Sequence, residues 1–362
     1  MTLQALLDGL ETRAPSVLAR AISLVENGGA GFEELLSALH GRIGRSRRLG
    51  ITGPPGAGKS TLVERMTAAY RSAGLTVGIV AVDPSSPFTG GALLGDRIRM
   101  ERSSLDPGVF IRSMASRGSL GGMATTTSEV ADVMDAFGFD RILIETVGVG
   151  QSELDVMAAS DSTVVVLVPE SGDGIQVMKA GLMEIADVFV VNKADRPGAD
   201  RIRQDLEVAM GMRSGQVYRH VGAHHGRTDG PADPRTAAAA SARGTSGDPS
   251  VRPSLGPSPW EPPVIATVAS EGRGTEDVVA ALDRHFAHLE ASGQLAERRR
   301  ARLQTRTREV VERAVRRWLW SEGQPEELQA ALRDVAAGVK SPYDAAAAIV
   351  ARLQGSEAYE RD

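Results

Sequence analysis

Short apolar segments alternate with stretches of helical periodicity through the middle of the chain. Seven of these segments have the length and composition of buried strands, and they are Leu49–Thr52, Thr76–Val82, Val109–Ile111, Arg141–Ile144, Thr163–Val168, Val188–Val191 and Val264–Val268. Strands that alternate with helices form a mostly parallel sheet flanked by helices, so the pattern predicts an α/β fold. Because ligands of such sheets bind at the carboxyl ends of the strands, we expect functional residues there.

Helical periodicity without strands occupies both ends of the chain. Residues 1–45 form a predicted N-terminal helical segment, residues 46–290 the predicted sheet domain, and residues 291–362 a predicted C-terminal helical arm. Within the sheet domain, residues 213–259 are rich in Gly, Pro, Ala, Ser and Arg and poor in large apolar side chains. This composition predicts a disordered insertion of low complexity.

The predicted arm contains a helix with nine Arg between Arg298 and Arg317, interleaved with Glu. A solvated helix face is the simplest interpretation of this pattern, and the alternatives are an acidic protein partner and nucleic acid. Further along, Pro342 suits a first helical turn, and Ser341 with Asp344 predicts a capping box.

The composition excludes several classes of function. Hydrophobic residues make up 42% and charged residues 24% of the 362, as in a globular protein with a sizeable core. The chain has no Cys, which excludes disulfides, thiolate metal sites and cysteine nucleophiles and fits a cytoplasmic location. The longest apolar runs are far too short to span a bilayer, so no membrane association is expected. A net charge of −5 argues against nucleic acid as a partner.

Lys and Asn are scarce in this chain. The 41 basic residues include only four Lys, and Asn occurs twice. Arg can replace Lys on most solvated faces. In a tight phosphate or base pocket the two are not equivalent, because the Lys ammonium is compact and the Arg guanidinium is a planar group with five N–H donors. The positions that keep these two residue types therefore point to chemistry, and they are Lys59, Lys179, Lys193, Lys340, Asn27 and Asn192. Two of the six have simpler interpretations, Asn27 as a helix C-cap and Lys340 as a helix-end residue.

The strongest motif directly follows the first predicted strand and opens a helical stretch. It matches GxxxxGK(S/T), the phosphate-binding P-loop, and consists of Gly53, Pro54, Pro55, Gly56, Ala57, Gly58, Lys59, Ser60 and Thr61. The glycines let backbone N–H groups surround the β-phosphate, and the following helix N-terminus contributes its dipole. Lys59 is predicted to reach the β- and γ-phosphate oxygens, and Ser60 is predicted to ligate Mg²⁺.

A second motif follows the strand Val188–Val191 and predicts that the nucleotide is a guanine nucleotide. Asn192-Lys193-Ala194-Asp195 fits the NKxD pattern of GTPases. The Asp195 carboxylate can accept from guanine N1–H and the exocyclic amine together, which adenine does not offer. The Asn192 amide is expected at the other edge of the base. The aliphatic part of the Lys193 side chain is expected to lie along the guanine ring. A backbone N–H for guanine O6 is expected after the last strand, at Val268, Ala269 and Ser270.

Three acidic residues are candidates for holding Mg²⁺ and positioning the attacking water. Asp83 and Glu145 end predicted strands beside the P-loop, and Asp96 lies between the second and third strands. Carboxylates at strand ends facing a phosphate site suit both tasks, although each one also suits a helix cap. Gly148 and Gln151 follow Glu145 in a Gly-rich segment and are interpreted as a switch that moves towards a γ-phosphate.

Together, these motifs resemble one family. The matching segments are Gly53–Thr61, Asp83–Ser86, Gly90–Met100, Glu145–Glu153, Asn192–Asp195 and Trp260–Val264. They resemble the MeaB/ArgK/MMAA family of GTPase chaperones of adenosylcobalamin-dependent acyl-CoA mutases, in the SIMIBI class of P-loop GTPases. The resemblance covers nearly the whole chain outside the insertion. Two departures are the length of the insertion and Val268, which stands where many GTPases have Ser.

The resemblance implies a homodimer held through the C-terminal helical arm. It also implies slow Mg²⁺-dependent hydrolysis of GTP to GDP, coupled to assembly, cofactor loading and protection of methylmalonyl-CoA mutase or a close relative, with cobalamin adenosyltransferase as a further partner. The implied catalytic residues are Lys59, Glu145, Asp96 and Arg99. The implied metal ligands are Ser60, Asp83, Asp96 and Glu145. The implied relay of nucleotide state to the mutase consists of Asp173, Gln176 and Lys179.

Two other functions are alternatives on the sequence alone. One is a kinase that phosphorylates a small metabolite or a transport component, as the ArgK name suggests, although the sequence shows no substrate pocket. The other is a nickel-delivery GTPase of the same branch. Such proteins generally use Cys or His near the nucleotide, and this sequence has no His between His40 and His220.

Overall fold

The computed structural model describes most of the chain and divides it into two compact units. The described residues are 2–83, 103, 105–115, 123–146, 158–169, 182–213, 260–320 and 326–356. The units comprise Met1–Arg300 and Ala301–Asp362. The predicted insertion lies outside the described residues except for Arg213, which ends a helix. The three-part division of the chain stays a prediction.

A seven-stranded parallel sheet forms the centre of the first unit. Its strands in chain order are β1 (Arg47–Thr52), β2 (Val77–Asp83), β3 (Val109–Ala115), β4 (Arg141–Thr146), β5 (Ser162–Leu167), β6 (Val188–Val191) and β7 (Val264–Ala266). In space they follow the order β3-β2-β4-β1-β5-β6-β7, with every pairing parallel. The predicted α/β fold and all seven predicted strands are confirmed. Because β1 lies between β4 and β5, the loop after β1 has the ends of both strands beside it.

Helices precede, connect and follow these strands. In the first unit they are α1 (Leu3–Glu11), α2 (Pro15–Glu26), α3 (Phe32–Leu39), α4 (Lys59–Ser72), α5 (Met123–Phe137), α6 (Leu182–Ile185), α7 (Ala199–Arg213) and α8 (Thr275–Ser292). Three more helices follow, and they are α9 (Gln294–Trp320), α10 (Glu326–Ala336) and α11 (Pro342–Ser356). The predicted helical character of both chain ends is confirmed. Across the described ranges, no helix is both long enough and apolar enough to cross a membrane.

The strands point alternate apolar side chains to the two faces of the sheet, as the period of a strand requires. In β2, Val77 and Ile79 pack with residues of α4 and α8, whereas Val80 and Val82 pack with residues of α2 and α5. Helices α1 to α3 belong to this second cluster, which makes the N-terminal segment part of the core of the first unit. Each large apolar side chain buried in this way contributes about 1.5–3 kcal/mol.

One buried carboxylate fastens the end of the N-terminal segment to α5. Asp135 accepts hydrogen bonds from the backbone N–H groups of Gly44, Arg45 and Ser46 at 2.8, 3.1 and 3.0 Å. It also accepts one from the Arg48 guanidinium at 2.9 Å. Since Asp135 is only 1% exposed, these donors replace the water that an ionised carboxylate requires. The carboxylate thus holds the turn that leads into β1.

Two arginines at the start of α9 bind carboxylates that precede strands. Arg298 donates to both carboxylate oxygens of Asp187 at 3.0 and 3.1 Å, and Arg299 donates to both oxygens of Asp161 at 2.8 and 3.1 Å. Such two-point pairs fix the orientation of the side chains as well as neutralising their charge. The prediction of a solvated face therefore holds only in part for these two arginines, because their side chains stay 40% and 23% exposed but bind acidic partners from distant parts of the same chain.

Two predicted helix caps are present. Asn27 is the C-cap of α2, and its Nδ2 donates to the carbonyl oxygen of Ser23 at 2.7 Å. At the start of α11, Ser341 Oγ accepts from the backbone N–H of Asp344 at 3.1 Å, and the Asp344 carboxylate accepts from the backbone N–H of Ser341 at 3.3 Å. The predicted capping box is confirmed.

Candidate functional site

The loop after β1 passes so close to its neighbours that two of its positions require glycine. Gly53 has a φ of 138°, and a Cβ there would lie 2.1 Å from the carbonyl oxygen of Val166. Gly58 has a φ of 86°, and a Cβ there would lie 2.3 Å from Nδ2 of Asn192. Only glycine tolerates both the backbone conformation and the contact. The P-loop conformation therefore depends on the glycines of the motif.

The Lys59 side chain lies against the P-loop. It is 5% exposed, and its Nζ donates to the carbonyl oxygens of Gly53 and Pro54 at 2.8 and 3.0 Å. Lys59 is also the first residue of α4, whose N-terminus carries a partial positive charge. The ammonium and the helix end therefore form one positively polarised site suited to phosphate oxygens.

A hydroxyl and a carboxylate meet at the end of β4. Ser60 Oγ donates to Glu145 Oε1 at 2.7 Å, and Glu145 is 1% exposed. Glu145 pairs in register with Ile51 of β1, so neighbouring strand ends bring the P-loop helix and this carboxylate together. Hydroxyl and carboxylate oxygens are the donors that Mg²⁺ prefers. The structure thus brings together two of the four predicted metal ligands.

Asn192 connects the P-loop with the stretch after β7. Its Nδ2 donates to the carbonyl oxygen of Ala57 at 2.7 Å, and its Oδ1 accepts from the backbone N–H of Ala269 at 3.0 Å and from Thr267 Oγ1 at 3.1 Å. The residue is 3% exposed. The NKxD pattern alone places this amide at the edge of the base, and the structure adds partners within the protein. Because the buried amide uses its donor and its acceptor in opposite directions, it determines the separation of the two loops.

Exposure increases along the rest of the NKxD motif, from the half-buried Lys193 and Ala194 to the exposed Asp195. Lys193 has a φ of 55°, which is rare for a residue other than glycine and clusters at functional sites. The backbone N–H of Ala194 donates to the carbonyl oxygen of Thr267 at 3.0 Å, which holds this turn beside β7. Asp195 is exposed, so its carboxylate stands at the rim of the site.

The stretch after β7 forms a short 3₁₀ turn, Ala269–Glu271. Arg65 on α4 donates to the carbonyl oxygens of Ala269 and Ser270 at 3.1 and 2.6 Å. Val268, just before the turn, is 5% exposed, and its backbone N–H donates to the carbonyl oxygen of Arg273 at 3.1 Å. Sequence patterns do not reveal Arg65, because it belongs to no motif and its partners lie 204 and 205 positions away.

Several predicted site residues lie outside the described part of the chain, and they are Asp96, Arg99, Gly148, Gln151, Asp173, Gln176 and Lys179. Asp83 ends β2, and only its backbone is described. The register of Val82 with Thr146 places that strand end next to the end of β4, and therefore near Glu145.

Comparison with known proteins assigns a family to this arrangement. The family model described as methylmalonyl-CoA mutase-associated GTPase MeaB matches residues 18–324. A relative from Pyrococcus abyssi, named as a GTPase, is 41% identical over 337 residues, which cover 93% of this chain and 92% of the relative. The mitochondrial methylmalonic aciduria type A homolog of Mus musculus is 41% identical over 201 residues, which cover 52% of this chain and 48% of that protein.

A solved structure shares the fold. The crystal structure of a LAO/AO transport system kinase matches with a TM-score of 0.61 and 26% identity over 98% of each chain. The family match spans well over half of the chain and includes both the P-loop and the NKxD motif. The chain therefore belongs to the MeaB family of methylmalonyl-CoA mutase-associated GTPases, and it is an enzyme that hydrolyses GTP.

Proposed function

We propose that this GTPase is a chaperone that couples Mg²⁺-dependent GTP hydrolysis to assembly, cofactor loading and protection of an adenosylcobalamin-dependent acyl-CoA mutase. The proposed client is methylmalonyl-CoA mutase, and cobalamin adenosyltransferase is a further proposed partner. The observation that carries the proposal is the match of residues 18–324 to a family described as mutase-associated. Similarity to the mouse methylmalonic aciduria type A homolog supports it.

Hydrolysis rests on the P-loop and the acidic residues beside it. Lys59, at the N-terminus of α4, binds the β- and γ-phosphate oxygens and stabilises the negative charge that develops on them. Ser60 and Glu145 hold Mg²⁺, since their oxygens already lie 2.7 Å apart at a largely buried position. Bound Mg²⁺ neutralises charge on the β- and γ-phosphates. Asp83 and Asp96 are the other proposed metal ligands. Asp96 and Arg99 are the other proposed catalytic residues.

Guanine recognition rests on the two loops that Asn192 connects. The exposed Asp195 carboxylate accepts from N1–H and the exocyclic amine of the base. The Lys193 stem lies along the ring, and a backbone N–H of the turn after β7 donates to the base O6. The hydrogen bonds of Asn192 to Ala57 and Ala269 support this assignment, because they keep phosphate and base recognition at a constant spacing.

The nucleotide state reaches the mutase through the segments that follow β4 and β5. Both strands neighbour β1, so both strands end beside the P-loop. Loss of the γ-phosphate releases such switch segments in nucleotide-dependent proteins. The proposed switch residues are Gly148, Gln151, Asp173, Gln176 and Lys179.

When this GTPase is mixed with purified methylmalonyl-CoA mutase, the GTP turnover of the GTPase is expected to rise severalfold. The active lifetime of the mutase is expected to lengthen. The physical reason is that the client completes a hydrolytic site that is slow alone, as activating partners do for other GTPases. Phosphate release and mutase activity are followed in the same samples, with GDP and a non-hydrolysable GTP analogue as controls. Unchanged turnover with every acyl-CoA mutase of the source organism would contradict the proposed partner.

A kinase function is the second candidate, because the solved structure that shares the fold is that of a LAO/AO transport system kinase. Its test uses GTP labelled at the γ-phosphate, with arginine, ornithine and related amines as acceptors. Label recovered on an acceptor supports the kinase. Label recovered only as inorganic phosphate supports hydrolysis alone.

We also propose that α9 mediates homodimerisation. Leu303, Val311, Val315 and Trp318 are 42%, 54%, 42% and 50% exposed, and α9 has no buried residue. Since successive helical residues are about 100° apart, these four side chains occupy about one third of the circumference of the helix. An apolar stripe on an exposed helix is typical of a surface that pairs with another helix, and here Gln304 and Thr307 are the polar residues within it.

The Val311→Glu variant is expected to weaken dimerisation at least about tenfold, because a buried apolar side chain of this size contributes about 1.5–3 kcal/mol. Sedimentation velocity over a range of concentrations measures the effect. Val208→Glu is the matched control, since Val208 is 49% exposed but lies on α7. Equal dissociation of the two variants, or a monomeric wild-type protein, would refute the role of α9.

A further inference from the structure

Arg65 links the helix that follows the P-loop to the turn that follows β7. It lies on the second turn of α4, whose first residue is Lys59. Its Nε donates to the carbonyl oxygen of Ala269 at 3.1 Å, and its Nη2 donates to the carbonyl oxygen of Ser270 at 2.6 Å. A planar guanidinium that contacts two successive carbonyl groups restrains the orientation of both peptide units.

The contact with Ala269 also determines where the N–H of Ser270 points. The carbonyl group of Ala269 and the N–H of Ser270 belong to one trans peptide unit, which is planar and directs the two groups oppositely. With the carbonyl group held by Arg65, the N–H points away from Arg65. The preceding N–H, that of Ala269, donates to Asn192 at 3.0 Å, so this side of the turn faces the NKxD motif.

The amides on either side of Ser270 already have acceptors within the protein. The N–H of Ala269 is bound by Asn192, and the N–H of Glu271 donates to the carbonyl oxygen of Val268 at 2.9 Å. Ser270 itself is an exposed residue. The Ser270 N–H is therefore the backbone donor of the turn that is best placed to bind a ligand.

We infer that Arg65 is a positioning residue for base specificity, which holds the Ser270 N–H towards the carbonyl oxygen of a guanine base. This inference rests on the proposed guanine site and names a residue on which it depends. Because Lys59 and Arg65 belong to the same helix, α4 carries phosphate recognition at its first turn and orients base recognition from its second turn. An adenine base has an amine in place of O6, so a firmly held donor repels it.

The test measures binding of GDP, 6-thio-GDP, inosine diphosphate and ADP to the full chain by calorimetry. Arg65→Ala is expected to weaken GDP binding about tenfold, the loss for one misdirected hydrogen bond. It is also expected to reduce the preference for GDP over 6-thio-GDP, because sulfur is the weaker acceptor and the donor is no longer held. The preference for GDP over inosine diphosphate stays unchanged, since the exocyclic amine is bound by Asp195. Arg65→Lys, which keeps one donor towards the turn, gives intermediate values.

Arg71→Ala is the matched control, because Arg71 lies on the same helix but binds Asp106 through two bonds of 2.9 Å. Loss of the Arg71 side chain is expected to lower the stability of the fold. It is expected to leave unchanged the preference for GDP over 6-thio-GDP and over inosine diphosphate. Arg65→Ala binding that is unchanged, or weakened equally for GDP, 6-thio-GDP and inosine diphosphate, would overturn the inference and leave Arg65 with at most a structural role. A wild-type protein that binds ADP as tightly as GDP would instead refute the guanine site itself, and the inference with it.

Discussion

The Lys59→Ala variant is expected to turn over GTP at least about 100-fold more slowly than the wild-type protein, the loss typical of one preorganised electrostatic contact with a reacting group. The wild-type ammonium is 5% exposed and is held by the carbonyl oxygens of Gly53 and Pro54, so it is in place before the nucleotide binds. Alanine removes this charge at the N-terminus of α4, where transferring phosphate oxygens gain negative charge. Single-turnover hydrolysis measures the effect directly.

Lys340→Ala is the control for this prediction, because Lys340 is one of the chain's four lysines and lies in the second unit. Its Nζ contacts Asp334 at 2.9 Å, and its side chain is 46% exposed. We expect unchanged turnover from this variant. If Lys59→Ala kept wild-type turnover, the buried ammonium would serve only to hold the loop carbonyl groups, and its catalytic assignment would be wrong.

The Asp135→Ala variant is expected to lose about 3–5 kcal/mol of unfolding free energy, as when one partner of a buried ion pair is removed. The substitution leaves Arg48 with one fewer carboxylate and leaves the N–H groups of Gly44, Arg45 and Ser46 without their acceptor. Ser46 and Arg48 are buried, and buried donors without acceptors lose their hydration and gain nothing in return. Urea unfolding followed by circular dichroism measures the change.

Acid sensitivity provides a second check on Asp135. Burial raises the pKa of this carboxyl, but the charge of Arg48 and the N–H groups of Ser46 and Gly44 outweigh burial and hold the pKa below its ordinary value. Such a group stabilises the fold fully above the pKa of the unfolded chain, about 3.9, and progressively less as the pH falls towards the folded pKa. The unfolding free energy of the wild-type protein should therefore fall below about pH 4, and the fall should be smaller for Asp135→Ala.

Asp283→Ala is the control, because Asp283 also pairs with arginine but is 49% exposed. Its contacts with Arg47 and Arg141, at 2.9 and 3.6 Å, are expected to contribute at most about 1 kcal/mol. Similar losses from Asp135→Ala and Asp283→Ala would mean that burial does not decide the strength of these pairs.

The fold was predictable because its signals are local. Strands such as Val188–Val191 are continuous apolar runs, which only a sheet covered on both faces accommodates. Gly53 and Gly58 recur at the spacing that a phosphate loop requires, and the structure shows the close contacts that exclude a side chain at both positions. Scarcity of Lys singled out Lys59 and Lys193, and the structure places Lys59 in the P-loop and Lys193 in a rare backbone conformation.

The supporting contacts of the site were not predictable, because each joins residues far apart in the chain. The hydrogen bond between Asn192 and Ala57 joins residues 135 positions apart in the sequence, and that between Arg65 and Ala269 joins residues 204 positions apart. A pattern in a single sequence shows which residues share a helix face or strand, but it does not show which distant polar groups meet. The arginines at the start of α9 illustrate the consequence, since they suit a solvated face until the fold places Asp161 and Asp187 beside them.

The sequence by itself therefore determined the order of the elements, the phosphate loop, the guanine motif and the family. These depend on backbone conformation and on the periodicity of apolar residues, which neighbouring residues specify. Only the tertiary structure decided how Asn192 and Arg65 hold the two loops of the site and how Asp135 holds the entry to β1. The physical reason is that a buried polar group must find a partner, and the partner is chosen by how the whole chain folds.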